Sequence, residues 1–161
     1  MAFDAFLKLG DIKGESVADG HAGEVDVLSF SWGVTQTGTT HRGTGGGAGK
    51  CNVQDMAFTK YVDSSSPTIF LNCCVGKHFP EATLTVRKAG EKPLDYLVIK
   101  LTDLIITSVQ IGGSTGGDEV TESFTVNFGG FEYMVQPQGK KGEKKGGAIT
   151  TKFNIAENKA A

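Results

Sequence analysis

The sequence has no large excess of charge of one sign: 16 Lys and Arg residues face 18 Asp and Glu residues, for a formal net charge of −2. A protein that binds nucleic acid by neutralising phosphates carries a strong positive excess, so this class is disfavoured. No apolar run reaches the roughly 18 residues that a membrane-spanning helix needs. The start of the chain, MAFDAF, also lacks the basic and then apolar stretches of a secretory signal. We therefore expect no nucleic-acid partner, no membrane insertion and a cytoplasmic origin.

Cysteine is also scarce. The three residues Cys51, Cys73 and Cys74 form an odd set with two neighbours in sequence, which does not suit a disulfide framework. We expect reduced thiols, as in cytoplasmic proteins. Because no C-x-x-C spacing is present, no metal site is predicted. Cys51 with His41 or His78 as its base is an open alternative, but no local signature supports it, and we predict a protein without catalytic activity or cofactor.

Glycine is abundant, with 23 residues, and it is most concentrated in the stretch GTTHRGTGGGAG at residues 38–49. A phosphate-binding loop leads into a helix and places Ser or Thr after its lysine, whereas Cys51 follows Lys50 here and a strand-like run comes next. Long loops in compact domains are usually functional or disordered. We interpret residues 38–50 as a projecting loop between two strands and call them the arm.

Short apolar runs separated by turn residues predict about nine strands in one domain, residues 1–161. Apolar residues occupy the odd positions of residues 25–27 and the even positions from Leu28 to Val34. Because this change of apolar parity would turn a continuous strand over, we expect a bulge or a change of pairing partner near Leu28. Turns are expected at Thr102-Asp103 and at Gly129-Gly130. This number of strands suits a mainly β fold, either a closed barrel or two packed sheets.

One helix is predicted. Residues 63–67 offer a hydroxyl cap followed by a proline in the first turn, and Gly76 is well placed to end the helix in a left-handed conformation. We expect the buried side of this helix to consist of Ile69, Phe70, Cys73 and Cys74.

Several strands alternate between apolar residues and small neutral polar ones. The polar set comprises Ser29, Ser31, Thr83, Thr85, Thr121, Ser123 and Thr125. A solvated sheet face usually carries more Lys and Glu. Two interpretations stay open, an ordinary polar exterior and a wall that faces a confined aqueous space.

Five segments in order carry a family resemblance: FLKLGDIKGES (residues 6–16), VLSFSWG (27–33), NVQD with FTKY (52–55 and 58–61), GKHFP (76–80) and RKAG (87–90). Together they resemble the Hcp (haemolysin-coregulated protein) family, the inner-tube proteins of type VI secretion systems. The resemblance extends over essentially the whole chain. It implies a β-barrel of two packed sheets with one flanking α-helix and a long extended loop.

The resemblance also implies homohexameric rings that stack into a hollow tube, with a contractile sheath around the tube, a spike protein at its tip and small effector proteins in its lumen. It implies a cytoplasmic protein that the type VI system secretes without a signal peptide. The polar set above then becomes the candidate lumen wall. Contact between stacked rings falls on the arm, with the candidate residues Gly38, Thr40, His41, Arg42, Gly45, Gly46, Gly47 and Lys50.

The alternative to a tube protein is a β-sandwich that binds a carbohydrate or a peptide without assembling into a ring. Such a module uses aromatic residues at loop tips. Trp32 lies instead on the apolar side of a predicted strand, which disfavours this alternative.

Overall fold

The computed structural model describes residues 2–41 and 43–161, and within them it contains eleven strands and one helix. The strands are β1 (Phe3–Leu9), β2 (Val25–Val27), β3 (Ser29–Ser31), β4 (Val34–Thr35), β5 (Asn52–Val53), β6 (Met56–Tyr61), β7 (His78–Lys88), β8 (Leu94–Gly112), β9 (Thr121–Val135), β10 (Ile149–Asn154) and β11 (Lys159–Ala160). The helix, α1, spans Ser66–Val75 and follows β6. Among the described residues, no helix is long and apolar enough to cross a membrane.

Nine strands form one curled antiparallel sheet that folds into two layers, and β4 and β5 form a separate two-stranded sheet. One layer has the strand order β11-β10-β9-β8-β7-β1-β2, and the other has β3 and β6 paired against β9. The core lies between the layers and is filled from both, for example by Leu7 and Leu84 of the first and by Phe58 and Phe124 of the second. The expected mainly β, two-layered fold with a flanking helix is confirmed, although the barrel is not closed by a continuous ladder.

The seam between the layers is the break between β2 and β3. β2 pairs with β1, whereas β3 pairs with β6, and only Leu28 separates them. The backbone N–H of Leu28 already donates to the carbonyl oxygen of Thr59 in β6, at 2.8 Å. The predicted change of pairing partner near Leu28 is therefore confirmed, and it explains the change in apolar parity, because each half of the run faces the core from a different layer.

The two expected turns at Thr102-Asp103 and Gly129-Gly130 are wrong, since β8 and β9 run through both positions without interruption. Thr102 pairs with Gly130 across the ladder, so both predicted breaks lie at one level of the sheet. Asp103 adopts a left-handed φ of 51° there. Glycine opposite this residue leaves room for the backbone to bend, and the long strands can pass from one layer to the other at this level.

Helix α1 spans nearly the residues that the sequence predicts, with Pro67 in its first turn and Gly76 at its C-terminus in the left-handed conformation (φ 64°). The predicted hydroxyl cap is wrong, because the N-cap residue Ser65 makes no capping hydrogen bond with its side chain and donates its hydroxyl to Asp63 instead. The buried side of α1 differs from the expected one. Ile69 is buried as predicted, but Ser66 and Asn72 occupy the rest of that side, and Phe70 and Cys74 are exposed while Cys73 is partly exposed.

The reason for this orientation is a buried polar network beneath the helix N-terminus. The Ser66 hydroxyl donates to Glu122 Oε1 at 2.7 Å, and Lys60 Nζ donates to the same hydroxyl at 3.0 Å. Lys60 and Glu122 form a fully buried ion pair, and Lys60 also contacts Asp63 Oδ1 at 2.9 Å. Buried charges need partners, so Ser66 turns inward beside Ile69, and Phe70, Leu71 and Val75 lie exposed on the other sides of the helix.

Candidate functional site

Small polar side chains from four strands lie side by side on the outward side of the second layer. Cross-strand pairing aligns Ser29 of β3, Thr59 of β6, Ser123 of β9 and Gln110 of β8 in one row. The next row contains Ser31, Ala57, Thr125 and Ser108. We call this surface the hydroxyl face; its residues are Ser29, Ser31, Ala57, Thr59, Thr107, Ser108, Gln110, Thr121, Ser123, Thr125 and Asn127, with Asp55 at one end.

Five of these residues were predicted from the sequence, and the structure brings those five together: Ser29, Ser31, Thr121, Ser123 and Thr125. It missed Thr59, Thr107, Ser108 and Gln110. The alternation of β6, in which Met56, Phe58 and Lys60 are buried, was the signal that could have found Thr59. No such signal existed for Thr107 and Ser108, because a bulge between Ile106 and Ser108 breaks the alternation of β8.

Thr83 and Thr85 lie elsewhere, on β7 of the first layer. Thr83 is paired between Lys8 and Lys100 in a charged row. Thr85 is only 5% exposed and is paired with Phe6, whose ring is covered by the stacked imidazole of His21, with ring centroids 4.5 Å apart. Their place among the candidate wall residues is thereby corrected, because Thr83 belongs to a different surface and Thr85 is buried.

At one end of the hydroxyl face, Asp55 accepts two hydrogen bonds from neutral side chains. Asn127 Nδ2 donates to Oδ1 at 2.8 Å, and the Thr107 hydroxyl donates to Oδ2 at 2.9 Å. Thr107 Oγ1 also lies 2.7 Å from Thr125 Oγ1, which lies 2.6 Å from Ser108 Oγ. The carboxylate therefore ends a chain of three hydroxyls.

The donor and acceptor in each hydrogen bond of this series follow from counting the available protons. A hydroxyl has one proton to donate, and a carboxylate can only accept. Thr107 gives its proton to Asp55, so Thr125 must donate to Thr107, and Ser108 must in turn donate to Thr125. The three protons point along the sheet toward Asp55, and the hydroxyls keep only acceptor capacity for a molecule that approaches the face.

The hydroxyl face ends in an unpaired strand edge on both sides. Within the part of the chain that the structure describes, β3 pairs with β6 alone. On the opposite side, the ladder between β7 and β8 ends at the pair His78 and Ile105, so residues 107–112 of β8 pair only with β9. Unpaired strand edges are templates for pairing with another chain.

The arm is an extended hairpin that projects from the β4–β5 pair, where Val34 lies opposite Val53. Farther out, the Thr39 hydroxyl donates to the carbonyl oxygen of Gly47 at 2.8 Å and accepts from the Gly47 N–H at 3.0 Å. Gly45 adopts a left-handed φ of 84° at the turn. The arm is thus a local structure with its own hydrogen bonds.

The candidate stacking residues mostly lie exposed along this hairpin. Exposed positions are Gly38, Thr40, His41, Gly45, Gly46 and Lys50, whereas Gly47 is partly covered by its contact with Thr39. Arg42 lies outside the described residues. Between residues 33 and 54 the sequence contains no Asp or Glu, so the only charges on the arm are basic.

Among the described residues, the side chains of the catalytic and metal-binding alternatives are not assembled into a site. Cys51 is half-buried, and among the described residues no hydrogen bond joins it to His41 or His78. All three cysteines are free thiols. The described residues contain no group of three potential metal ligands. Trp32 packs into the core side, 4.9 Å from the Phe131 ring centroid, and its Nε1 donates to the carbonyl oxygen of Gln54 at 3.0 Å, so it is not a loop-tip binding residue.

Comparison with known proteins places these features in a family. Residues 6–134 match the family described as "Type VI secretion system effector, Hcp". Protein hcp1 of Pseudomonas aeruginosa is 50% identical over 159 residues, which are 98% of each chain. The crystal structure of Hcp1 from Salmonella typhimurium superposes with a TM-score of 0.83 at 37% identity, over 100% of both chains.

Two further solved structures agree. A type six secretion system protein superposes with a TM-score of 0.93 at 29% identity and covers 99% of this chain and 100% of its own. A type VI secretion system effector from Yersinia pestis gives 0.78 at 32% identity, covering 94% of this chain and 100% of its own. These matches extend over both layers and the arm, and they favour the tube protein over a free ligand-binding module. The chain belongs to the Hcp family of type VI secretion system proteins.

Proposed function

We propose that this chain is the subunit of a type VI secretion tube: six copies close into a ring, the rings stack, and the hydroxyl face lines the resulting conduit. The observation that carries the proposal is the hydroxyl face itself, a surface of small neutral side chains with a free strand edge on each side. No catalytic step is assigned to the chain in this function.

Ring closure in this proposal is heterologous, with β3 of one copy paired to the distal half of β8 in the next. Each copy would then contribute four strands to one continuous inner barrel. With strands about 4.8 Å apart, six copies give a circumference of roughly 115 Å and a backbone diameter of roughly 37 Å before strand tilt is considered. Such a barrel leaves a wide water-filled lumen, and it removes both free edges at once.

Neutral hydroxyl groups suit the wall of a conduit. They are wetted by water, and they offer neither the apolar area nor the dense charge that would hold passing proteins tightly. The arm would bridge to the adjacent ring through Gly38, Thr40, His41, Arg42, Gly45, Gly46, Gly47 and Lys50. A surrounding sheath, a spike at the tube tip and small effectors inside the lumen complete the proposal, together with export from the cytoplasm by the type VI system.

The test is the mass and shape of the purified protein. Light scattering coupled to size exclusion should give about 102 kDa, six times the subunit mass of 17.0 kDa, and electron microscopy should show annular particles. A single species at the subunit mass, over all protein and salt concentrations tried, would contradict the proposal.

A further inference from the structure

Asp55 is the single charged side chain among the described residues of the hydroxyl face. The other charged residues of these strand segments, Lys60 and Glu122, are buried on the opposite side of the sheet. Both oxygens of Asp55 accept from neutral groups, Thr107 and Asn127. The ion pairs between described residues lie elsewhere and do not include Asp55. Its negative charge is therefore not balanced by a cation within the described part of the subunit.

The neighbouring hydroxyls add to this charge. Because Ser108, Thr125 and Thr107 pass their protons in sequence toward Asp55, their oxygens present only acceptor capacity to the lumen side. Chains of hydrogen bonds polarise one another. This end of the hydroxyl face is thus built to accept hydrogen bonds and to attract positive charge, although its composition is mostly neutral.

We infer that Asp55 is a specificity-determining residue of the conduit, which favours cargo segments that carry Lys or Arg over acidic segments. The inference rests on the proposed ring, in which six copies of Asp55 lie at one level around the lumen. Their spacing of roughly 20 Å along the wall exceeds the Debye length of about 8 Å, so each acts locally. A cargo with several basic groups can contact more than one copy, and this multivalency raises its affinity.

The test compares two fluorescently labelled 20-residue peptides, one of alternating Gly and Lys and one of alternating Gly and Glu. Binding to assembled rings is measured by fluorescence anisotropy at about 50 mM and 300 mM salt. Wild-type rings should bind the Gly–Lys peptide and discriminate against the Gly–Glu peptide. D55N should weaken Gly–Lys binding at least about fivefold, because the amide keeps the side-chain shape and loses the charge.

The matched control is E157Q, which removes one carboxylate per subunit from the exposed turn between β10 and β11. Its Gly–Lys affinity should stay within about twofold of wild type, since the site lies on the other layer. A second variant, S123K, places a cation on the exposed centre of the hydroxyl face without touching Asp55. It should weaken Gly–Lys binding and strengthen Gly–Glu binding, which shows that the peptides bind at the hydroxyl face.

Light scattering on the same samples shows whether rings are present, so a failure of the proposed ring can be told from a failure of the role of Asp55. If wild-type protein forms no rings, the proposed function fails. If rings form and Gly–Lys binding is the same in wild type and D55N, the role of Asp55 is refuted and the proposed ring is unaffected.

Discussion

At the scale of single residues, two aspartates near the junction of β2, β6 and α1 have opposite electrostatic environments. Burial alone would raise the pKa of Asp63, but hydrogen bonds from Ser65 and Lys60 outweigh it, and its pKa lies below the ordinary value. For Asp26, burial raises the pKa, and the negative charges of Asp63, Asp4 and Glu15 raise it further against a hydrogen bond from Ser16. The ionised form of Asp63 is thus favoured by the fold, and that of Asp26 is disfavoured.

We predict that D63N lowers the free energy of unfolding at pH 7 by about 1–2 kcal/mol, because it removes a charge-assisted hydrogen bond to buried Lys60. D26N should raise the free energy of unfolding by a few tenths of a kcal/mol, since Asp26 is only partly buried and solvent screens the repulsion. Urea unfolding at fixed protomer concentration measures both.

The effects of D63N and D26N on the free energy of unfolding should depend on pH in opposite ways. Asp63 has a lowered folded pKa, so its stabilisation is fully present above the unfolded pKa near 3.9 and is lost as pH falls through the folded value. The raised folded pKa of Asp26 makes its ionised form a cost, which disappears once the pH falls below about 4. Differences from wild type that share one sign at pH 7, or that persist unchanged at pH 3, would contradict this assignment.

At the scale of elements, the arm combines a local hairpin with a backbone conformation that only glycine adopts readily. Gly45 has a φ of 84°, where a β-branched side chain is strained, and nothing lies within 4 Å of the position that its Cβ would occupy. A substitution there therefore acts on the conformation of the arm and not on packing within the subunit.

We predict that G45V leaves ring mass and thermal stability unchanged but shortens stacks of rings, because the strained arm no longer holds the shape that the adjacent ring meets. Stack length is counted in electron micrographs at several protein concentrations. G43A is the control, since Gly43 is exposed, without a positive φ and with open space around its Cβ position. Equal stack lengths for G45V, G43A and wild type would show that the conformation of the arm does not affect the stacking of rings.

At the scale of the whole molecule, the two layers have different roles. The first layer carries charged rows such as Lys8, Thr83 and Lys100. The second presents the hydroxyl face, and its free edges are the ones that a ring would pair. β8 and β9 belong to both layers because they bend at the level of Thr102 and Gly130. A ring built through the second layer would therefore leave the charged rows of the first on the outside of the tube.

We predict that S31Q changes the surface proposed as the lumen wall without changing the fold. Ser31 is exposed in the short edge strand β3 and makes no side-chain hydrogen bond among the described residues, so a longer polar side chain extends into solvent at a cost within about 0.5 kcal/mol. Circular dichroism, the thermal midpoint and the ring mass should match those of wild type. Loss of folding in S31Q would show that Ser31 does not face open space, and it would contradict the proposal that Ser31 lines the lumen.

Much of the local structure was predictable from the sequence. The bounds of α1 follow from Pro67 and Gly76, and the change of layer at Leu28 follows from a change in apolar parity. These features depend on residues close together in the chain. The buried side of α1 was not predictable, because Ser66 turns inward to meet Lys60 and Glu122, and Glu122 lies 56 positions away in sequence.

The sequence by itself determined that this is a mainly β protein with small neutral residues alternating along its strands and a glycine-rich arm. Only the tertiary structure decided which of those neutral residues share a surface. Ser29, Ser31, Ser123 and Thr125 meet because cross-strand register aligns them, whereas Thr83 and Thr85 have the same alternation on another layer. The oriented hydroxyls beside Asp55 also required the fold, since alternation fixes the side of a strand on which a residue lies but not its partners across the sheet.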